Sequence, residues 1–208
     1  LRLMFYAVIV RPFLILFLGL NARNMNRLHV PDYAHLIAAN HNSHLDALVL
    51  MSLIPLRDIH KVKFVAAKDY WCSTKLMSWF LLNIIGIVPI DRKGGSDDPL
   101  APVIKALEYG YTVVIFPEGS RGEAEKRKPF KYGITKILET FPEIHITPVY
   151  MFGLAKSLPR GEALFVPFVC DINIGEDIQW TGDRATLMRN LERAFDDLEE
   201  EIAPKAWD

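Results

Sequence analysis

At 208 residues, half of them hydrophobic and 24% charged, the chain has the size and composition of one folded domain. Thirteen prolines and twelve glycines without a repeating period exclude collagen-like chains and solenoids. Two distant cysteines, Cys72 and Cys170, exclude a disulfide framework or cysteine-rich zinc module and fit a reducing compartment. A net charge of −1 argues against a general nucleic-acid binder, which needs a broad positive field. From residue 170 onward 11 acidic side chains face 4 basic ones, so the positive surplus lies in the front part, beside the most apolar stretch. That pairing suits an anionic membrane or a phosphorylated ligand.

The opening LRLMFYAVIVRPFLILFLGL is apolar except for Arg2 and Arg11. It approaches the roughly 20 residues needed to span a bilayer. A central arginine in hydrocarbon costs at least about 2.5 kcal/mol, and Pro12 disturbs a helix, so the pattern predicts an interfacial or partly inserted helix rather than a span, a buried core helix or a signal peptide. Residues 1–28 therefore read as a membrane-associating helical segment, and residues 29–208 as the folded domain.

Beyond a polar link at 21–31, short β-rich runs alternate with helical stretches. Strands are expected at 35–39, 62–67, 87–90, 112–116, 144–150, 163–168 and 170–174, and helices at 45–53, 74–83, 99–109, 132–140 and 185–202. In the last helix Leu187, Leu191, Phe195, Leu198 and Ile202 recur every three or four residues. The alternation predicts an α/β fold, a single layered domain with a mainly parallel mixed sheet flanked by helices, preceded by an apolar membrane-docking helix. Ligands in such sheets collect at the carboxyl ends of strands.

Four strand exits draw attention. The first reads AANHNSHLDAL, with His41 and Asp46 at the spacing His-x4-Asp where a strand turns into a helix. A carboxylate bonded to one ring nitrogen fixes the tautomer and leaves the other free to take a proton, which makes a general base. The competing reading is a capping box, Ser43-His44-Leu45-Asp46, and a third places His41, His44 and Asp46 on a metal. His35, His60 and His145 stand alone in the chain and read as core, strand or surface residues. The second exit delivers Arg92, whose planar fork suits a phosphate, although a surface Asp91-Arg92 turn is equally ordinary. The third reads Phe116-Pro117-Glu118-Gly119-Ser120-Arg121, a carboxylate, a glycine, a hydroxyl and an arginine together at one strand end, followed by the basic residues Lys126, Arg127, Lys128 and Lys131. The fourth, Ile146-Thr147-Pro148-Val149, is a strand containing proline, which predicts an edge, a bulge or a strand end.

In this order and at these separations the four blocks resemble those of the glycerolipid acyltransferase family, the PlsC-like group, over roughly residues 30–180. The resemblance implies that 29–208 is an acyltransferase catalytic domain on the cytoplasmic face of a membrane. Its expected reaction moves a fatty acyl group from acyl-ACP or acyl-CoA to the free hydroxyl of a lysophospholipid, most naturally lysophosphatidate, with no metal, cofactor or covalent acyl-enzyme. It also implies His41 as base and Asp46 as its orienting partner. Arg92 would hold the acceptor phosphate, Glu118, Gly119, Ser120 and Arg121 would shape the acceptor pocket, and Lys68 would add positive charge. Where many phosphatidate-forming members read Phe-Pro-Glu-Gly-Thr-Arg-Ser, this chain has Ser120 and Gly122, and a frequent Phe-Lys-Lys-Gly appears as Phe130-Lys131-Tyr132-Gly133. The partners expected are the bilayer, a lysophospholipid and an acyl carrier protein or CoA thioester, and no nucleic acid. The rival readings are a metal-dependent hydrolase using His41, His44 and Asp46, and a non-catalytic lipid-binding module in which His41 and Asp46 only cap a helix.

Overall fold

The computed structural model describes residues 1–68, 74–91, 98–122, 126–154 and 169–202. Seven strands form one sheet in the order β1-β7-β6-β2-β5-β3-β4. They are β1 (Gly19–Arg23), β2 (His35–Ala39), β3 (Val62–Ala67), β4 (Ile87–Ile90), β5 (Thr112–Ile115), β6 (Ile146–Phe152) and β7 (Val169–Ile174). Strands β2 to β6 run parallel to one another, whereas β7 is antiparallel to β6 and carries β1 parallel to itself. The mainly parallel mixed sheet is therefore present. The strand expected at 163–168 lies outside the described residues.

Helices cover both faces. Helix α1 spans residues 2–17, α2 Asp46–Leu53, α3 residues 75–85, α4 Ala101–Glu108, α5 Gly133–Thr140 and α6 Arg184–Ile202. Side chains alternate across each strand, so Ile37, Ala39 and Val114 pack with Tyr6 of α1, Val49 of α2 and Leu81 of α3. Leu36, Ala38, Val113 and Ile115 pack instead with Val103 of α4, Ile137 of α5 and Leu191 of α6. Burial on both faces is why these strands read as continuous apolar runs.

Helix α1 accommodates its proline and its charges by specific means. Residues Phe5–Val10 form a π-helical turn, and the Arg11 N–H donates to the Tyr6 carbonyl five residues back. The wider turn relieves the crowding that Pro12, which has no N–H, brings to the preceding turn. Arg2 donates to the carbonyls of Val62 and Ile85 at 2.9 Å each, and Arg11 donates to the Ile54 carbonyl at the end of α2. Both arginines thus turn toward the domain and satisfy carbonyls at helix and strand ends. Tyr6, Val10 and Leu14 line one buried stripe at four-residue spacing, while Leu3, Val8, Ile15 and Leu16 are exposed. Among the described residues, no helix is long and apolar enough to cross a membrane.

Strand β1 was not expected. It falls inside the segment set apart as 1–28, yet it pairs with β7 from Gly19↔Val169 to Arg23↔Asn173, so residues 19–23 belong to the sheet. Its sequence GLNAR is polar and half-exposed, as an outer strand allows. Asn21 donates to Asp171 at 2.6 Å and Asn24 to Asn173 at 2.9 Å to fix it laterally.

Pro148 occupies an interior strand, and a bulge makes room for it. Val149 pairs with Ile174 and Ile146 bridges Ile178, which leaves two residues on β6 facing three on the other side. The Gly175 N–H donates to the Pro148 carbonyl at 2.8 Å, and a Cβ on Gly175 would stand 2.7 Å from the proline ring, so the bulge requires glycine there.

Candidate active site

Because β2 to β6 all point the same way, His41, Lys68, Asp91 and Glu118 emerge along one edge of the sheet. His41 Nδ1 lies 2.9 Å from Asp46 Oδ2, and the same oxygen accepts the backbone N–H groups of Asn42 at 2.8 Å and Ser43 at 2.9 Å. Asp46 is buried, with 1% of its side chain exposed. The general-base and capping readings are therefore not alternatives: one carboxylate closes the turn before α2 and orients the imidazole. Ser43 takes a smaller part than a capping box implies, its hydroxyl accepting from Leu45 N–H at 3.2 Å rather than from Asp46. With Nδ1–H directed at a carboxylate, Nε2 carries the lone pair.

Two further contacts fix the ring. Phe116 stacks on it with centroids 4.2 Å apart and planes 20° apart, and the His41 backbone N–H donates to Glu118 Oε1 at 2.8 Å. Glu118 Oε2 accepts the Lys128 N–H at 3.0 Å. Its carboxylate is spent on two backbone amides, binding the loop after β2 to the loop after β5. Burial pushes the Glu118 carboxyl above its ordinary value, opposed by those two hydrogen bonds.

Gly119 sits at φ +71°, a left-handed backbone, and a Cβ there would stand 2.8 Å from the Lys131 side chain. That absence of a side chain lets Lys131 cross the loop. Lys128 Nζ donates to Ser120 Oγ at 3.2 Å and to the Arg121 carbonyl at 2.7 Å, and Arg121 donates to His44 Nε2. Burial, Arg121 and His41 together hold the His44 imidazole below its ordinary value. Asp46 Oδ2 and His44 Nε2 are engaged by these donors, and among the described residues His41, His44 and Asp46 do not group as potential metal ligands.

His41, His44 and Phe116 are among the residues that line a cavity of about 890 Å³. Its polar lining includes His41, His44, Ser120, Arg121, Lys128 and Lys131, and its lining is otherwise mainly apolar, with Ala47, Leu48, Ala66, Leu81, Ile87 and Ile115 among its residues. Gly119 also lines it, whereas Glu118 stands behind. Lys68 follows β3 at the same edge and is exposed, and it is not among the described residues lining the cavity. Arg92 lies outside the described residues, directly after Asp91, which does line the cavity. Phe80, Leu81 and Ile85 of α3 form part of the cavity wall. Phe80 and Leu81 pack inward, whereas Leu76, Trp79 and Leu82 of the same helix are exposed.

Fold and site together place a histidine–carboxylate pair beside a largely apolar cavity. Residues 21–152 match the family model described as Acyltransferase, and the chain belongs to that family. Its similarity runs to PlsC-like, glycerolipid members. A 1-acyl-sn-glycerol-3-phosphate acyltransferase of Helicobacter pylori is 31% identical over 144 residues, covering 67% of this chain and 58% of that protein. The human 1-acyl-sn-glycerol-3-phosphate acyltransferase alpha is 27% identical over 148 residues, with 69% and 50% covered. The chloroplastic LPAT1 of Arabidopsis thaliana is 25% identical over 147 residues, with 70% and 39% covered. The chain thus spans between about two fifths and three fifths of the length of these relatives. The fold matches the crystal structure of the PlsC acyltransferase from Thermotoga maritima with a TM-score of 0.79 at 20% identity, covering 100% of this chain and 80% of that one.

Proposed function

We propose that the chain transfers a fatty acyl group from acyl-ACP or acyl-CoA to the free hydroxyl of a lysophospholipid, with lysophosphatidate converted to phosphatidate. The observation carrying this reading is the His41–Asp46 pair, with His41 lining a largely apolar cavity. His41 Nε2 takes the proton of the acceptor hydroxyl as its oxygen attacks the thioester carbonyl. The tetrahedral intermediate expels the thiolate, which recovers the proton from the imidazolium, so histidine ends as it began. A thioester is already activated, and no enzyme nucleophile is needed. A general base supplies roughly 10²- to 10⁴-fold, and alignment of two bound partners supplies more. The apolar wall suits an acyl chain, and Arg121, Lys128 and Lys131 suit an anionic headgroup. Arg92 is assigned to the same phosphate from its position after β4, and Lys68 adds charge at the sheet edge.

The same reading places the domain on the cytoplasmic face of a membrane. Phe5 of α1 and Phe80 of α3 meet edge to face at 5.3 Å, joining the two helices, and each presents large apolar side chains outward. Such a surface favours docking at the lipid interface with the cavity beside it, so the substrates need not cross water. The test is incubation of the purified chain with a panel of acyl donors and lysolipids, with products identified by mass. Phosphatidate formed by the native chain and not by His41→Ala supports the reading; lipid binding without turnover overturns it in favour of a non-catalytic module.

A further inference from the structure

Three of the histidines that look unconnected in the chain gather at the opposite edge of the sheet from His41. His29 follows the 3₁₀ turn Met25–Arg27, His35 opens β2, His145 precedes β6, and Asp177 sits on the bulged side opposite Pro148. His35 and His41 are six residues apart, about 20 Å along an extended chain at roughly 3.3 Å per residue. Nothing in the acyl-transfer chemistry uses this cluster.

Its hydrogen bonds fix where the lone pairs lie. His29 Nδ1 is 2.8 Å from the Arg27 carbonyl, which only accepts, so Nδ1 carries the hydrogen and Nε2 the lone pair of the neutral ring. That Nε2 faces Asp177 Oδ2 at 3.4 Å. Thr147 Oγ1 is 2.6 Å from Asp177 Oδ1 and 2.7 Å from His35 Nε2. A carboxylate only accepts, so the single hydroxyl hydrogen goes to Asp177 and His35 Nε2–H donates to the threonine oxygen. The lone pair of His35 is then on Nδ1, which has no hydrogen-bond partner among the described residues although His35 is 0% exposed.

We propose that His29, His35 and Asp177 form a binding site for a divalent transition metal of the zinc class. One ligand atom from each lies within 4.8 Å of the other two. A tetrahedral shell with metal–nitrogen bonds of about 2.0–2.1 Å separates its ligands by roughly 3.4 Å, a spacing His29 and Asp177 already have. Two imidazoles and one carboxylate suit zinc and its neighbours over magnesium or calcium. The Arg27 carbonyl and the Thr147 hydroxyl are the outer contacts that orient such ligands. His145, with Nδ1 3.7 Å from Asp177 Oδ2, stands next to the cluster. Bound metal would fasten the link between β1 and β2 and the bulge after β7 to the starts of β2 and β6. The role is structural and separate from turnover.

The experiment uses the full chain, treated with chelator and dialysed, then titrated with Zn²⁺ alone by calorimetry, with the thermal midpoint followed in parallel. One equivalent per chain and a midpoint raised by zinc are expected. His29→Ala, at a side chain 41% exposed and confirmed folded by circular dichroism, should lose that equivalent. Asp177→Asn should do the same, while His41→Ala should keep it. Absence of saturable binding, retention of binding in both His29→Ala and Asp177→Asn, or its loss in His41→Ala would each overturn the proposal, the last by moving the ion to the acyl-transfer site.

Discussion

Glu118 holds His41 by its backbone and not by its ring: Oε1 accepts the His41 N–H at 2.8 Å while Oε2 accepts that of Lys128 at 3.0 Å. The end of β5 therefore sets where the imidazole at the end of β2 can stand. Glu118→Gln keeps one acceptor and turns an amide NH₂ toward the other donor, leaving a buried group unsatisfied at a cost of about 1–3 kcal/mol. Expected are a lower urea midpoint and a fall in kcat larger than any rise in KM, since the base is displaced while the chamber remains.

The same residue predicts a pH dependence. Its folded pKa is raised by burial, so between the ordinary glutamate value and that raised value the native state holds more protons than the unfolded one. Its contribution to stability is full below that window and is lost as pH rises through it. Urea unfolding from about pH 4 to 7 should show a steeper fall, or a shallower rise, in the native chain than in Glu118→Gln. Parallel profiles would exclude Glu118 as the titrating group.

Asp46 serves both chemistry and turn closure, and two variants separate these. Asp46→Asn keeps an acceptor for the His41 ring and the amides of residues 42 and 43 but removes the negative charge that stabilises an imidazolium. It should remain folded while kcat falls by roughly 10²-fold or more. Asp46→Ala should lose comparable activity and, in addition, about 1–3 kcal/mol of stability for each amide left unpaired. Equal unfolding midpoints for the two would refute the turn-closing role.

Ala66 of β3 lines the apolar wall, so Ala66→Leu takes volume from the chamber. Competition between long and short acyl donors should shift toward the shorter, read as the ratio of kcat/KM values. An unchanged ratio would place the acyl chain elsewhere.

Ile15 and Leu16 are 79% and 76% exposed on α1. Replacing both by serine removes two large apolar groups from the outer surface, each worth about 1.5–3 kcal/mol when fully buried in an apolar phase. Co-sedimentation with phosphatidylglycerol vesicles should weaken at least tenfold, with the thermal midpoint little changed. Undiminished binding would assign docking to another face.

The parallel centre of the fold was legible because its strands are buried and written as largely apolar runs: 35–39 and 62–67 match the observed strands residue for residue, as does 87–90 at the outer edge of the sheet. The His41–Asp46 contact was legible because both ends lie within one tight turn. Strand β1 was not, because GLNAR has no β-branched residue and owes its conformation to a partner far along the chain. The role of Glu118 was hidden for a related reason, since spacing reveals a carboxylate at a strand end but not which backbone amides a later loop will bring to it. His35 and His145 looked isolated because their common neighbour, Asp177, is placed by a bulge that only the pairing of β6 with β7 creates.

Because Gly19 finds its hydrogen-bonding neighbour at Val169, synthesis and assembly run in opposite order. The greasy helix ahead of β1 leaves the ribosome early, yet the seat for its strand is not completed until some 150 residues later. During that interval β1 lacks its neighbour, and a lipid leaflet or a chaperone would shelter the outward apolar side chains of the helix before it.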